Sequence, residues 1–394
     1  TLSTGKKVNY TYDGLNRLTK TSLTPSTDTP IDTTYTYFAS KRGSDYTTTK
    51  LKSETINGEK YEYKYDAHSN ITDVTKDGVL QYHYGYDMMN QLVSVDDKLN
   101  GKVYNYTYDA GGNLISETVT DSNGTTSNAY EYNNSNWGDV LTSYNGQSIT
   151  YDEIGNPLTY RDGMSMTWKN GRQLATFTNG DTSISYGYDS DSVRTTKTVN
   201  GVKYTYAYLN GQLMYETRGD AKFYYSYDAN GILYNVRYTL TDGGTEYSYY
   251  YTHNSRGDIV GIYNGAGELK AHYEYDAWGN VISITDNNGN AITSPNHVGN
   301  LNPFRYRGYY QDTETGLYYL MSRYYDAVTH RFINADGYFQ SGGSILDANT
   351  FAYCGNNPVN LSDPNGEHSC GAPTCPKCDS TRRAFLQTEK GIKL

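Results

Sequence analysis

The feature that most constrains this chain is a repeat. Tyr-Asp, then two or three loosely constrained residues, a Gly or Asn and an aliphatic residue, begins at Tyr12, Tyr65, Tyr86, Tyr108, Tyr151, Tyr188, Tyr227 and Tyr275. Degenerate copies at Tyr37, Tyr132, Trp168, Tyr208 and Tyr251 fill the gaps, giving thirteen copies spaced by about 22 residues. A fixed period of this size marks an architecture of stacked supersecondary units, each burying its surface against its neighbours.

The residues before each motif alternate with period two. Tyr61, Tyr63 and Tyr65 are separated by Glu62 and Lys64; Tyr104, Tyr106 and Tyr108 by Asn105 and Thr107; Tyr204, Tyr206 and Tyr208 by Thr205 and Ala207. In a strand this puts every Tyr on one face. Asp at the first turn position and Gly at the fourth, as in Gly112, Gly155, Gly231 and Gly279, suit a type I turn. The Asp caps backbone amides, and the Gly takes positive φ in a bulge before the return strand. Second turns are carried by Asn57-Gly58, Asn100-Gly101, Asn145-Gly146 and Asn200-Gly201. Each period is therefore a β-hairpin, and because one hairpin is marginal in water the units must pair edge to edge. The chain is expected to be all-β, with helix only near Asp379 to Lys390.

Composition supports this reading. The residues counted as hydrophobic make up 36%, and that figure includes 46 Tyr, so the aliphatic content is too low for a helical or α/β enzyme core. A Tyr ladder packs ring on ring while its hydroxyls stay wet or hydrogen-bonded. Such a sheet is expected to keep a partly solvated face and to curl round a hollow; the alternative is a flat or solenoidal sheet with an exposed aromatic face.

The motifs resemble the YD repeats of the Rhs family, which includes bacterial polymorphic toxins, wall-associated proteins, insecticidal toxin-complex C components and the animal teneurins. Residues 302 to 366 are similar to the family's core domain: Asn302-Pro303-Phe304-Arg305-Tyr306-Arg307-Gly308, Asp312-Thr313-Glu314-Thr315-Gly316-Leu317-Tyr318-Tyr319, Arg323-Tyr324-Tyr325-Asp326 and Asp363-Pro364-Asn365-Gly366. The resemblance implies a continuous β-sheet spiralling into a shell over residues 1–300, closed by an Rhs-associated core over 301–366. A short variable tail over 367–394 then begins or truncates an effector. The chain begins without a signal peptide and is read as part of a longer protein.

The resemblance also supplies catalytic candidates. In several members a pair of core aspartates cuts the chain after Asp-Pro-x-Gly, which implies roles for Asp336 and Asp363, with Arg331 holding one carboxylate ionised. Here Asp336 is followed by Gly337 where Pro is usual, and Gly366 by Glu367 where an apolar residue is usual. A Glu brings a third charge to two carboxylates, so the expectation is that this chain does not cleave itself. In the tail, His368, Cys370, Cys375 and Cys378 offer a candidate zinc set; apart from it no cofactor is expected. No phosphate loop, nucleophile elbow or His-Glu-x-x-His occurs.

Net charge of −10 with a pI near 5.2 gives no electrostatic footprint for nucleic acid, and no apolar run is long enough to span a bilayer. The expected function is a non-catalytic scaffold of a secreted or surface-exposed bacterial protein. Its partners would be its own C-terminal effector polypeptide and the remaining shell repeats. A module binding cell-surface carbohydrate through exposed Tyr rows is the alternative.

Overall fold

The computed structural model describes residues 6–25, 30–39, 47–337, 345–367 and 369. Among them, helix is confined to one turn, Val298–Leu301, and a few 3-10 turns of three or four residues; no helix is long and apolar enough to cross a membrane. The strands pair antiparallel and in chain order. One sheet runs from Lys7–Tyr12 to Gln147–Ser148, a second from Thr150–Tyr151 to Val281–Thr285, and a four-stranded sheet is made by Tyr310–Gln311, Tyr318–Tyr319, Tyr324–Asp326 and Arg331–Phe332. The residues group into two compact units. The first comprises Thr1–Asn105, Val119–Thr125 and Ala221–Gly308; the second comprises Tyr106–Thr118, Thr126–Asp220 and Tyr309–Leu394.

The repeat turn is built as its residue types dictate. In Asp66 to Asn70 the Asp66 amide donates to the Asn70 carbonyl (3.0 Å), while Asp66 Oδ1 accepts from the Asn70 amide (2.8 Å) and Oδ2 from the Asn70 side chain (2.9 Å). The same closure recurs at Asp87, Asp109, Asp152 and Asp276. The fourth position has positive φ, with Gly at Gly112, Gly155, Gly231 and Gly279 and Asn at Asn16 and Asn90. The ladder slips at the motif Tyr: Tyr65 pairs with Ile71, Tyr86 with Leu92, Tyr275 with Val281. This is the bulge that the turn requires.

The motif Tyr has a second role that its spacing does not reveal. Its hydroxyl donates to the carbonyl at the bulge of the preceding repeat: Tyr37 to Leu18 (2.7 Å), Tyr65 to Leu51 (2.8 Å), Tyr86 to Ile71 (2.8 Å), Tyr132 to Leu114 (3.0 Å) and Tyr275 to Ile259 (2.8 Å). At the degenerate copy Trp168, the indole Nε1 donates to Pro157 (2.7 Å). A bulge leaves a backbone acceptor without its ladder partner, and an unpaired buried carbonyl costs free energy. A long side chain with a terminal donor fills that need, so each repeat is fastened to the one before it.

Two sequence expectations are corrected. The copy placed at Tyr251 is out of register by two residues: Asn254 to Asp258 forms the turn, Gly257 has φ +87°, and His253 pairs with Ile259 across the bulge. Nor is the aromatic face openly exposed, as the flat-sheet alternative would have it: it is partly solvated, with Tyr61, Tyr65, Tyr104, Tyr108, Tyr204 and Tyr208 at intermediate exposure and the tyrosines between them buried. Tyr63, Tyr84, Tyr106, Tyr186, Tyr206, Tyr225, Tyr251 and Tyr273 are at most 6% exposed, and among the described residues only Tyr12, Tyr224 and Tyr247 are tyrosines at least 36% exposed. In the first unit Tyr234, Tyr250 and Tyr263 pack with Leu23 and Ile31 into a core cluster. Rings of this size bury too much apolar area to be left facing water.

Candidate core-domain site

The candidate site lies within the second unit. Arg323 directly precedes the strand Tyr324–Asp326, and Asp336 follows the strand Arg331–Phe332. Asp363 opens the Asp363-Pro364-Asn365-Gly366 turn, where its Oδ1 accepts from the amides of Gly366 (2.9 Å) and Glu367 (3.1 Å). The turn is anchored by the Asp363 amide, which donates to Tyr309 Oη (2.8 Å). Gly366, at φ +77°, is required twice over: a Cβ there would stand 2.6 Å from Ser322 Oγ and 2.9 Å from the Leu320 carbonyl oxygen.

The structure brings Asp336 and Asp363 together through one cation. Arg323 Nη2 stands 3.2 Å from Asp336 Oδ2 and 3.4 Å from Asp363 Oδ2. Arg323 Nη1 donates to the Thr350 carbonyl (3.0 Å), and Nε donates to the Gly366 carbonyl. The guanidinium lies over the Phe332 ring at 3.5 Å from its centroid. Burial pulls it below its ordinary value, opposed by Asp336 and Asp363. Glu367 closes the cluster. Burial raises its carboxyl, and the charges of Asp336 and Asp363 raise it further, while a bond from Asn365 and the field of Arg323 act the other way. An open cleft of about 200 Å³ adjoins the cluster, with Arg172, Arg323, Asp336 and Glu367 on its wall.

Arg331 is elsewhere. Its Nη1 donates to Tyr132 Oη and its Nη2 to the Asp139 carbonyl, with the guanidinium over Phe351 at 5.0 Å. The cation beside the aspartates is Arg323, eight residues earlier. One signal for it was in the sequence: Arg323 opens the Arg323-Tyr324-Tyr325-Asp326 segment, between two apolar stretches where an Arg needs a buried acid. His368, Cys370, Cys375 and Cys378 lie outside the described residues, as does the stretch Asp379 to Lys390. Among the described residues no group of three or more His, Cys, Asp or Glu could hold a metal ion.

Further buried charges missed from the sequence fix the core segment to the repeats of the same unit. Arg194 Nη1 meets Asp312 Oδ2 at 2.5 Å, and Lys197 Nζ meets Asp312 Oδ1 at 3.0 Å, all three being at most 1% exposed. Burial alone would raise the Asp312 carboxyl, but Arg194 and Lys197 bring it below the usual range. Arg161 grips Asp326 with two bonds, Nε to Oδ2 (2.7 Å) and Nη2 to Oδ1 (2.9 Å).

With this geometry in view, the comparison with known sequences is decisive: the teneurin YD-shell profile matches residues 6–359. The chain belongs to the teneurin YD-shell family. This YD-shell chain is 38% identical over 257 residues to the tRNA3(Ser)-specific nuclease WapA of Bacillus spizizenii, a match covering 63% of the chain and 10% of that protein. It is also 38% identical over 101 residues to double-stranded DNA deaminase toxin A of Burkholderia cenocepacia, covering 26% of the chain and 6% of the toxin. Its fold matches TccC3-containing structures. One is a Photorhabdus luminescens Tc holotoxin pore, with a TM-score of 0.67 at 17% identity over 93% of this chain and 19% of that one. Another is a TcdB2-TccC3 crystal structure, with a TM-score of 0.63 at 17% identity over 92% of this chain. The YD-shell chain thus spans about a tenth of the length of the WapA relative and about a fifth of the solved chains.

Proposed function

We propose that this chain is the C-terminal stretch of an encapsulating shell, enclosing the effector polypeptide that follows its core and delivering it from a secreted or surface-exposed bacterial protein. The observation that carries the reading is the fastening of Gly366. The point at which the core hands over to the tail is held by the Arg323 bond to its carbonyl and the Asp363 bond to its amide. The relatives support a scaffold role, because proteins named for two different chemistries, a tRNA nuclease and a DNA deaminase, each match part of this chain. Protease treatment of the full-length parent protein tests this. Polypeptide beyond residue 367 is expected to resist digestion in the native particle and to be cut once denaturant opens it; equal digestion in both states overturns the reading.

A second reading, self-cleavage at the Gly366–Glu367 bond, is favoured by one arrangement: the Gly366 carbonyl is polarised by Arg323 within a cluster holding two aspartates. Against it stands Glu367, whose carboxylate would be a third negative charge in the same field. A like charge at about 4 Å costs on the order of 4 kcal/mol at an effective dielectric near 20, enough to slow a reaction by roughly a thousandfold. The bond is therefore expected to stay intact when the protein is held for days at about pH 5 and about pH 7, either side of the histidine range. Intact-mass spectrometry checks this. A species ending at Gly366 that disappears in Asp363→Asn would instead make Asp336 and Asp363 catalytic.

A further inference from the structure

The second unit carries another opening, a groove of about 360 Å³ whose lining includes Asn134, Asn136, Trp137, Tyr151, Asp152 and Glu153, within the size range of small-molecule sites. It forms where the repeat pattern is weakest, in the segment after the degenerate copy at Tyr132. There Asn134 Oδ1 accepts from the amides of Asn136 (3.0 Å) and Trp137 (3.2 Å) and folds the loop back.

The Trp137 ring is held in place from beneath. Gly155, at φ +80°, gives it room, since a Cβ there would stand 2.7 Å from the indole Cη2. Phe351, fully buried, supports it with ring centroids 5.7 Å apart. Trp137 and Tyr151 are both half-buried and pack on the cluster of Val140, Ala335 and Phe351. The groove therefore has a fixed aromatic wall whose position costs a ligand little ordering.

The polar rim narrows the ligand class. No Lys or Arg lines the groove, whereas Asp152 and Glu153 do, so phosphate, sulfate and carboxylate ligands meet repulsion rather than a partner. The Asp152 oxygens are engaged by the amides of Ile154 (3.1 Å) and Asn156 (2.8 Å) and by the Asn156 side chain (2.7 Å). That leaves the side-chain amide N–H groups of Asn134, whose Oδ1 already holds the loop, and the exposed side chains of Asn136 and Glu153 as donors and acceptors. An aromatic face attracts the positively polarised C–H edge of a saturated ring, and amide and carboxylate groups satisfy hydroxyls around it. We propose that this groove binds a neutral pyranose ring, stacked on Trp137 and hydrogen-bonded by Asn134, Asn136 and Glu153. Sugar recognition thus moves from rows of Tyr, few of which are openly exposed, to a single Trp-walled groove, independent of what the shell carries.

Calorimetric titration of the full chain with methyl glucoside, N-acetylglucosamine, galactose and mannose tests the proposal, with gluconate as the charged control. Saturable millimolar binding of at least one neutral sugar and none of gluconate is expected, with Trp137→Ala weakening it by about tenfold or more. Because Trp137 also packs on Phe351, the Asn136→Ala/Glu153→Ala double variant provides a second readout: a severalfold loss at an unchanged thermal midpoint. Absence of saturable binding to every sugar overturns the site, and so does binding that survives unchanged in the double variant and in a folded Trp137→Ala.

Discussion

The repeats between Glu59 and Asp97 and the core segment between Tyr309 and Gly366 are both β, but they are held by different forces. The repeat strands are 6 to 8 residues long and pair with their neighbours in sequence. Their defining side-chain bonds are short in sequence: four residues from Asp66 to Asn70 and 15 from Tyr86 to Ile71. The core strands have only two or three residues. Their anchors come from far away in the chain, with separations of 118 for Arg194–Asp312, 165 for Arg161–Asp326 and 213 for Glu117–His330. Strands this short gain little from backbone pairing, so charged groups desolvated against the repeats of the same unit fix their position. The contrast predicts that damage in a repeat is local and small, whereas damage to a core anchor is large and pH-dependent.

The largest expected effect is that of Asp312→Ala. It leaves Arg194 and Lys197 buried without their shared acid, and breaking such a pair costs about 3–5 kcal/mol. The same variant should weaken the response to acid. Asp312, Asp326 and Glu216 are each held below the ordinary carboxylate range by neighbouring cations that outweigh burial. Their contribution is therefore present above the unfolded value of about 4 and is lost as pH falls through the lowered folded values. Urea midpoints measured across this range check both points. A loss in Asp312→Ala no larger than that of a surface substitution would erase the distinction between the two regions.

Next comes Gly279→Val, which tests a turn that also makes a tight contact. Its φ is +94°, and a Cβ would stand 2.5 Å from the Tyr306 ring. Strain of this kind costs roughly 1–3 kcal/mol, to be read from the denaturation midpoint. An unchanged midpoint would count against the bulged turn. The smallest effect is that of Tyr86→Phe, which removes only the hydroxyl bond to the Ile71 carbonyl. About 1 kcal/mol is expected, with hydrogen exchange of the two adjoining repeats rising and the core unaffected. Exchange rising equally in the core would show that the repeats are not fastened one by one.

The turns were legible from the sequence because their determinants are adjacent: an Asp whose carboxylate reaches amides two and four residues on, and a fourth residue that tolerates positive φ. Where a determinant changes identity, legibility falls. The turn at Asn254 follows His253 instead of a Tyr, and its Asn makes the same bonds as Asp, so the Tyr pattern points two residues too early. The reach of the motif Tyr to the preceding bulge was hidden because the acceptor is a backbone carbonyl, which leaves no mark on residue type.

The sequence by itself determined the hairpin, its period and the family, while the roles of Asp336 and Asp363 were only what the resemblance implies. The first three rest on local turn chemistry or on motifs contiguous in the chain. Only the tertiary structure decided which arginine serves that pair and where the tyrosine face goes. Arg323 and Arg331 are equivalent in composition and close in sequence, and strand register sends one to the aspartates and the other to Tyr132 and the Asp139 carbonyl. Alternation likewise put the tyrosines on one face without saying what meets it. That was settled by long-range packing, because apolar area is buried wherever another surface can cover it.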